Sequence, residues 1–471
     1  MTDIFTILKD KGHNTVPKEY YQTIDLWESW YKGKVAKFHT FKVFNGQKHV
    51  NCQRYSMGMA KKVSEDWANL LMNEKVQITP KGEKEQKFIN DVLSSTGFSA
   101  KINEMQEFKA ALGTVAYIPR ASGVMINPET GEIVAGAGEI KIDYATADSI
   151  FPLSWENGTI TECAFAAEKI AGDKKYLYLQ RHVIGKDGNY EIHNHVFKKG
   201  KNGFEEVEPS SVTEFKSLPA VVHTGSPLRQ FVIDRLNIAN NVNKTCPLGL
   251  SVYANAIDQL KGVDVAYDSY VNEFVLGKKR IMVKPEAVKN FENGEPLFDV
   301  NELTFYILPE GAGNDSSIKE IDMKLRTAEH NAGMQDMLNT LSAKCGFGEN
   351  HYKYDRGSVS TATQIISENG SLFRTLKKHE LILDGALKEL CRILLRLGNA
   401  YLGASLDADI EISIAFDDSI IINTEDEREQ DRRDVSMGAM SLVEYRAKWY
   451  GEDEKTAREK LPGMESLVKD E

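Results

Sequence analysis

Over the first 115 residues the apolar positions recur every three or four residues, the spacing of amphipathic helices. In EYYQTIDLWESWYKG, Ile24, Trp27 and Tyr31 fall on one stripe. In MGMAKKVSEDWANLLMNEKV, Met59, Val63, Trp67, Leu70 and Leu71 share a face, with Lys61, Lys62, Glu65 and Asp66 largely opposite. Two further helical patterns cover roughly 83–93 and 100–112. The period then changes. From about 114 to 222 the chain shows short alternating runs bounded by turn signals: TVAYIPR, GEIKIDYAT, KKYLYLQRHVIG and GNYEIHNHVFKKG. Asp187-Gly188 lies between two of them, a hairpin signal. This stretch reads as an antiparallel β subdomain inserted between helical parts.

Helical spacing returns near Ser251, where Ile257, Leu260, Tyr267, Tyr270, Val271 and Phe274 recur and Gly277 marks a stop. A compact segment, about 278–322, has strand-like runs (RIMVKP, LTFYILPE), Pro285, Pro296 and Pro309, and the glycine-rich GAGNDSS. A second helix, about 323–345, is rich in small residues: Ala328, Ala332, Gly333 and Ala343. After the loop GFGENHYKYDRGSVS comes the longest helical pattern, from 361 to about 402. Its apolar positions include Ile365, Ile366, Leu372, Phe373, Leu376, Leu383, Leu387, Leu390, Leu394 and Leu397. Their spacing, about 3.5 residues, calls for a long partner surface. At ~1.5 Å per residue the helix measures about 60 Å. The tail returns to strand (IEISIAF), then an acidic stretch (DDSIIINTEDEREQDRRD), then amphipathic helices. The expected fold class is α+β: mainly helical, with the β subdomain and one very long helix.

Length changes this picture only by dividing it, since 471 residues exceed one ordinary core and predict two or three subdomains. Apolar content of 41% and charged content of 27% are those of a folded chain. No run of eighteen apolar residues occurs, and the opening MTDIFTILKDKGHN lacks the basic-then-apolar order of a secretory signal. A soluble protein, intracellular when made, is expected. Cys52, Cys163, Cys246, Cys345 and Cys391 are scattered singly, which predicts reduced or buried thiols rather than a disulfide framework or a zinc site. The net charge of -11 argues against broad phosphate neutralisation but not against a protein past which DNA slides.

Enzyme signatures are mostly absent: no G-x-x-x-x-G-K-[ST], no H-E-x-x-H and no G-x-S-x-G. Gly311-Ala312-Gly313 lacks the third glycine and the strand–helix context of a dinucleotide fingerprint. His193 and His195 lie two apart in a strand, with Glu191 on the same face. They could hold a metal, but a complete site needs ligands the sequence does not mark, and a solvated sheet face is the plainer reading. Asp407, Asp409, Asp417 and Asp418 could suggest a two-metal nuclease, but acidic turns beside strands are commonplace. Lys278-Lys279-Arg280, with Lys284 and Lys289, stands out as the only dense positive patch.

The order helix, compact mixed segment, helix, loop, very long helix resembles the portal proteins of long-tailed phages, of the type that infects Gram-positive hosts. WESWYKG is similar to that family's tryptophan-rich opening, and MGMAKKVSEDWANLLMNE to its next helix. VSTATQIISENGSLFRTLKKHE resembles the start of its spine helix, and IAFDDSIIINTEDERE its C-terminal turn. The resemblance covers nearly the whole chain. It implies a wing over 1–250, β subdomain included, and stem helices at 251–277 and 323–345. It further implies a clip at 278–322, a channel loop at 346–360, the spine and a strand over 361–424, and a crown over 425–471.

Under the resemblance, His351, Tyr352, Lys353, Tyr354 and Arg356 would face DNA in the axial channel, stacking or touching phosphates without reading sequence. Lys278, Lys279, Arg280, Lys284 and Lys289 would belong to the partner-docking clip, and Leu376, Leu383, Leu387, Leu390 and Leu394 would pack the spine. The implied assembly is a homo-oligomeric ring, twelve-fold in the virion, at one capsid vertex and made in the host cytoplasm. Its implied partners are the terminase large subunit, a head–tail connector or adaptor, the major capsid and scaffolding proteins, and double-stranded DNA. No cofactor, metal, membrane or catalysis is implied. Two other readings stay open. One is a metal-dependent nuclease or hydrolase using His193, His195 and the aspartates at 409–418; the other is an oligomeric scaffold or tail adaptor without a DNA channel.

Overall fold

Short amphipathic helices bury their apolar faces only against one another or against a sheet, and this chain does both. The computed structural model describes residues 2–72, 76–123, 125–126, 133–134, 138–172, 174–200, 203–216, 218–278, 280–283, 305–307, 318–321, 324–353, 362–416, 424–451 and 453–461. Helix α1 (Thr2–Asp10) is followed by α2 (Lys18–Tyr31), entered at Pro17, where a missing N–H costs no helical bond. α2 buries Tyr20, Tyr21, Ile24, Trp27 and Trp30, while Tyr31 is only half-buried. An all-helical reading of the first 115 residues then fails. Strands β1 (Thr40–Phe44) and β2 (His49–Gln53) form an antiparallel hairpin, Thr40 opposite Gln53 and Phe44 opposite His49. Residues 42–51 are all exposed, so no core-facing stripe marks this ribbon in the sequence.

Helix α3 (Met59–Leu71) buries Met59, Val63, Trp67 and Leu71, as its spacing predicts. Strand β3 (Gln77–Pro80), helix α4 (Glu83–Ser95) and helix α5 (Phe98–Leu112) follow. α5 ends at Gly113, whose φ of 88° is left-handed. A Cβ there would lie 2.3 Å from the Gly249 carbonyl oxygen, so only glycine lets these two backbone segments meet.

The β subdomain is antiparallel, as its alternation predicts. Its strands are β4 (Thr114–Ser122), β5 (Met125–Ile126), β6 (Ile133–Val134), β7 (Glu139–Thr146), β8 (Ile150–Glu156), β9 (Thr159–Ala171), β10 (Lys174–Ile184), β11 (Tyr190–Gly200), β12 (Gly203–Val207), β13 (Val221–His223) and β14 (Val232–Arg235). One sheet runs β12-β11-β10-β9-β8, with β13 also on β11; another runs β14-β4-β7. The Asp187-Gly188 turn joins β10 to β11, with Ile184 opposite Tyr190.

Helix α6 (Ile257–Leu276) starts later than its periodicity suggests, because Val252 and Tyr253 are buried in a preceding turn. Strand β15 (Arg280–Val283) is central between β16 (Phe305–Ile307), parallel to it, and β17 (Ile318–Ile321), antiparallel. Helices α7 (Thr327–Lys344) and α8 (Ala362–Leu402) follow, then strand β18 (Ile412–Ala415) and helices α9 (Thr424–Ser436), α10 (Leu442–Tyr450) and α11 (Glu454–Glu459). β18 pairs antiparallel with β3, Ile412 opposite Pro80, which stitches the tail to the N-terminal helices.

α8 carries a correction. Leu376, Leu383, Leu387, Leu390 and Leu394 are all buried within the subunit, where α8 packs on α3, α4, β4, β7, β14 and β18. From Leu372 to Leu397 the stripe that spacing assigns to a partner surface is therefore consumed inside one chain, while the side chains of Ile365 and Ile366 lie outside the described ones. A spacing of about 3.5 residues describes a seam but not whose surface fills it. Leu381, on the other side of α8, is 68% exposed. α5 is pinned to β14 by a fully buried ion pair, Lys109 Nζ to Asp234 at 3.0 and 3.1 Å. Tyr117 Oη and Gln106 Nε2 donate to the same carboxylate at 2.9 and 2.8 Å.

Candidate functional site

The loop after α7 begins with two tight left-handed turns, Gly346 at φ 89° and Gly348 at φ 87°. Between them Phe347 is buried, its ring 4.9 Å from Trp67 and stacked 4.4 Å from His351. Trp67 Nε1 donates to the Cys345 carbonyl (3.0 Å), Ser342 Oγ to the Gly348 carbonyl (2.6 Å) and Gln335 Nε2 to the Tyr352 carbonyl (3.0 Å). Tyr352 Oη donates to Asp66 Oδ2 at 3.0 Å, and His351 Nε2 lies 3.9 Å from the same oxygen. Burial acts to raise the Asp66 carboxyl, but the neighbouring His351 and the hydrogen bonds from Lys62 and Tyr352, with the Lys62 charge, together outweigh it and hold the group below its ordinary value. Burial and the Asp66 charge push the Tyr352 phenol well above its own.

Glycine content alone makes this loop a mobile connector. Up to Lys353 it is instead an anchored turn, with His351 and Tyr352 committed to Asp66 and Phe347. Lys353 is exposed; Tyr354 and Arg356 lie outside the described residues. The anchors, Asp66 and Trp67, sit on α3 almost three hundred positions earlier, beyond the reach of any local pattern.

At the base of the 278–322 segment α6 and α7 pack together and share a clamp. Glu273 accepts from Arg326 Nε (3.1 Å), Nη2 (2.9 Å) and backbone N–H (3.2 Å), and His330 lies 3.5 Å away. Hydrogen bonds from Arg326 hold Glu273 at about 2, against an ordinary 4.5. A depressed carboxyl stabilises the fold above its unfolded value, and that contribution disappears as pH falls through the folded one. Hydrogen exchange at the last turn of α6, corrected for intrinsic rates, is therefore expected to stay flat from neutral pH to about 5 and to rise between 4.5 and about 2. Glu273→Gln should exchange faster from neutral pH down to about 4.5, lose that step and converge with the wild type near the acid end; a step of equal size in the variant would assign it to another group. Beyond the clamp Lys278 is exposed and Arg280 opens β15, while Lys279, Lys284, Lys289 and the Gly311-Ala312-Gly313 run lie outside the described residues.

His193 and His195 share a face, as alternation predicts, with rings stacked 6.4 Å apart. Three of their four nitrogens are already engaged. His193 Nε2 bonds Glu191 at 2.9 Å. His195 Nδ1 bonds Glu206 at 2.6 Å, and its Nε2 accepts from Arg181 Nε at 3.2 Å and Nη2 at 3.0 Å. A ring with both nitrogens used and a guanidinium against it is a poor cation ligand. Burial, with Arg181 adding to it and Glu206 opposing, lowers the His195 pKa. Among the described residues no group of three or more His, Cys, Asp or Glu side chains is placed to hold a metal ion.

The acidic cluster shapes a turn. Asp407 Oδ1 accepts the Asp409 N–H (3.0 Å), Asp407 N–H donates to Glu85 (3.0 Å), and Asp409 accepts from Arg396 (3.3 Å). Asp417 and Asp418 lie outside the described residues. The five cysteines are free, four of them buried, and no helix among the described residues is long and apolar enough to cross a membrane. No curated protein matches the chain. The family model of phage portal proteins, SPP1 Gp6-like, matches residues 14–459.

Proposed function

The chain belongs to the phage portal protein family, SPP1 Gp6-like, and on that premise we propose that it is one subunit of a ring, twelve-fold in the virion, through which double-stranded DNA is packaged and ejected. The family is structural rather than enzymatic. The observation that carries the reading is the span of the match, which takes in the helices, the β subdomain and the tail together. The ring would occupy one capsid vertex, assembled in the host cytoplasm with capsid and scaffolding proteins. It would dock the terminase that does the work and later a head–tail connector. The Gram-positive host type rests on the sequence resemblance alone.

Within that reading, 1–250 is the wing, α6 and α7 are stem helices, 278–322 is the docking clip, α8 is the spine and 425–471 is the crown. The Glu273–Arg326 clamp supports the clip assignment, because it fixes the two chain ends between which the segment is carried. A net charge of -11 suits a conduit, since each neutralised phosphate would add affinity and stall a moving duplex. In the 346–360 loop, Lys353 and Arg356 remain the residues proposed to meet DNA. Tyr354 belongs to the same proposed set, and His351 and Tyr352, which the Phe347 and Asp66 contacts hold on the anchored turn, are proposed to border the DNA path beside Lys353.

Negative-stain images of the purified protein test the reading: rings with a central hole are expected. Monomers at every concentration, or closed particles without a hole, would sink it, the latter favouring a scaffold or adaptor. Lys353→Glu with Arg356→Glu should leave rings intact and impair packaging or retention of DNA in a salt-dependent way. Wild-type packaging by intact double-variant rings would remove the loop from the DNA path.

A further inference from the structure

Residues 29–64 contain eight lysines and arginines and not one Asp or Glu, in a chain with 69 acidic side chains. Without that segment the chain carries 50 basic against 69 acidic side chains, a balance of -19. Run length singles out Lys278-Lys279-Arg280 and overlooks this longer patch because its cations are spaced. Lys34, Lys37, Lys42 and Lys48 are exposed, with no carboxylate in ion-pair distance among the described residues.

The β1–β2 hairpin lies at the centre of this segment and has two unlike faces. Its register puts Phe41, Val43, Val50 and Cys52 on one side, and Thr40, Lys42, Phe44, His49, Asn51 and Gln53 on the other. Val43 is 46% and Val50 37% exposed, and Phe44 on the lysine side 58%, so apolar surface of the hairpin meets water in the single subunit.

The base of the hairpin is firmly mounted on α6. Asp264 accepts from His39 Nε2 (2.9 Å), Ser56 Oγ (3.1 Å) and the Met57 N–H (2.7 Å), and Asp268 accepts the Tyr55 N–H (3.0 Å). His39 Nδ1 accepts the Val35 N–H (2.8 Å), which leaves Nε2 as the donor to Asp264. Arg54 closes the base over the Phe38 and Phe41 rings, at 4.4 and 5.0 Å. A two-stranded ribbon beyond such a mount is marginal alone, and its free edges invite a neighbour.

We infer that the β1–β2 hairpin is an arm that docks on a second copy of this chain, its apolar side covered there and Lys42 and Lys48 set against that copy's acidic surface. The inference rests on the ring reading. DNA would pair with the lysines but leave Val43 and Val50 wet, whereas a second copy offers its acidic excess to the lysines and exposed apolar side chains, such as Phe274, Val275 and Leu276, to the valines. A projecting arm on an unlike surface of its neighbour is a heterologous contact, the kind that closes into rings.

Mass photometry of the full chain across concentration tests this, with Val43→Ser/Val50→Ser and Lys42→Glu/Lys48→Glu beside the wild type. Each variant should need at least about tenfold more protein for half-assembly, with unchanged thermal unfolding. Added salt should narrow the deficit of the lysine variant. Wild-type assembly by both variants overturns the arm while leaving the portal reading intact. A wild type that never assembles overturns both. Normal assembly with lost affinity for a short DNA duplex would make the hairpin a phosphate contact and refute the inference.

Discussion

Replacing Lys109 with methionine destabilises the subunit by about 3–5 kcal/mol, because it leaves the Asp234 carboxylate buried and unpaired. Both side chains are wholly inaccessible. Burial pulls the lysine ammonium below its usual pKa, with Asp234 opposing. What remains after the substitution is a carboxylate with only Gln106 and Tyr117 as donors. Removing both charges, as Lys109→Met with Asp234→Leu, should recover much of the loss, since a buried pair is expensive to desolvate in the first place. Urea midpoints followed by tryptophan fluorescence under monomeric conditions decide it. A single variant that unfolds at the wild-type midpoint would mean that water reaches Asp234.

Leu387→Asp or Leu394→Asp should yield no folded subunit, each costing roughly 4 kcal/mol or more for an unpaired charge placed in the core. Leu381→Asp, on the exposed side of the same helix, should change stability by less than about 0.5 kcal/mol. The comparison separates two destinations for one stripe. If α8 presented its leucines to a neighbour, the core substitutions would give folded, non-assembling monomers. Circular dichroism with sedimentation distinguishes the outcomes.

That stripe also shows how far the sequence could be read. Period and punctuation located α3, α5, the hairpin at Asp187-Gly188 and the antiparallel character of 114–222, because each buries a regular face. The β1–β2 ribbon was invisible to the same test, since all of residues 42–51 face solvent. The loop at 346–353 looked loose because its glycines are local and its anchors are not. Phe347 settles against Trp67, and Tyr352 against Asp66, only once α3 and the turn after α7 have come together. His193 and His195 were correctly placed on one face, but Arg181 and Glu206, which occupy His195, come from neighbouring strands.

The pairing of β3 with β18 has a consequence for synthesis. Residues 77–80 leave the ribosome long before residues 412–415, their only strand partner among the described residues. At about 5–20 residues per second the wait is roughly 20–60 s. Throughout it α3 and α4 lack the helix that covers them, and the β3 edge is open to any extended segment nearby. Contacts this distant in sequence close late and slowly. An open edge and uncovered apolar helices of this kind are what chaperones bind, so folding of the N-terminal helices is expected to finish only after residues 412–415 have emerged.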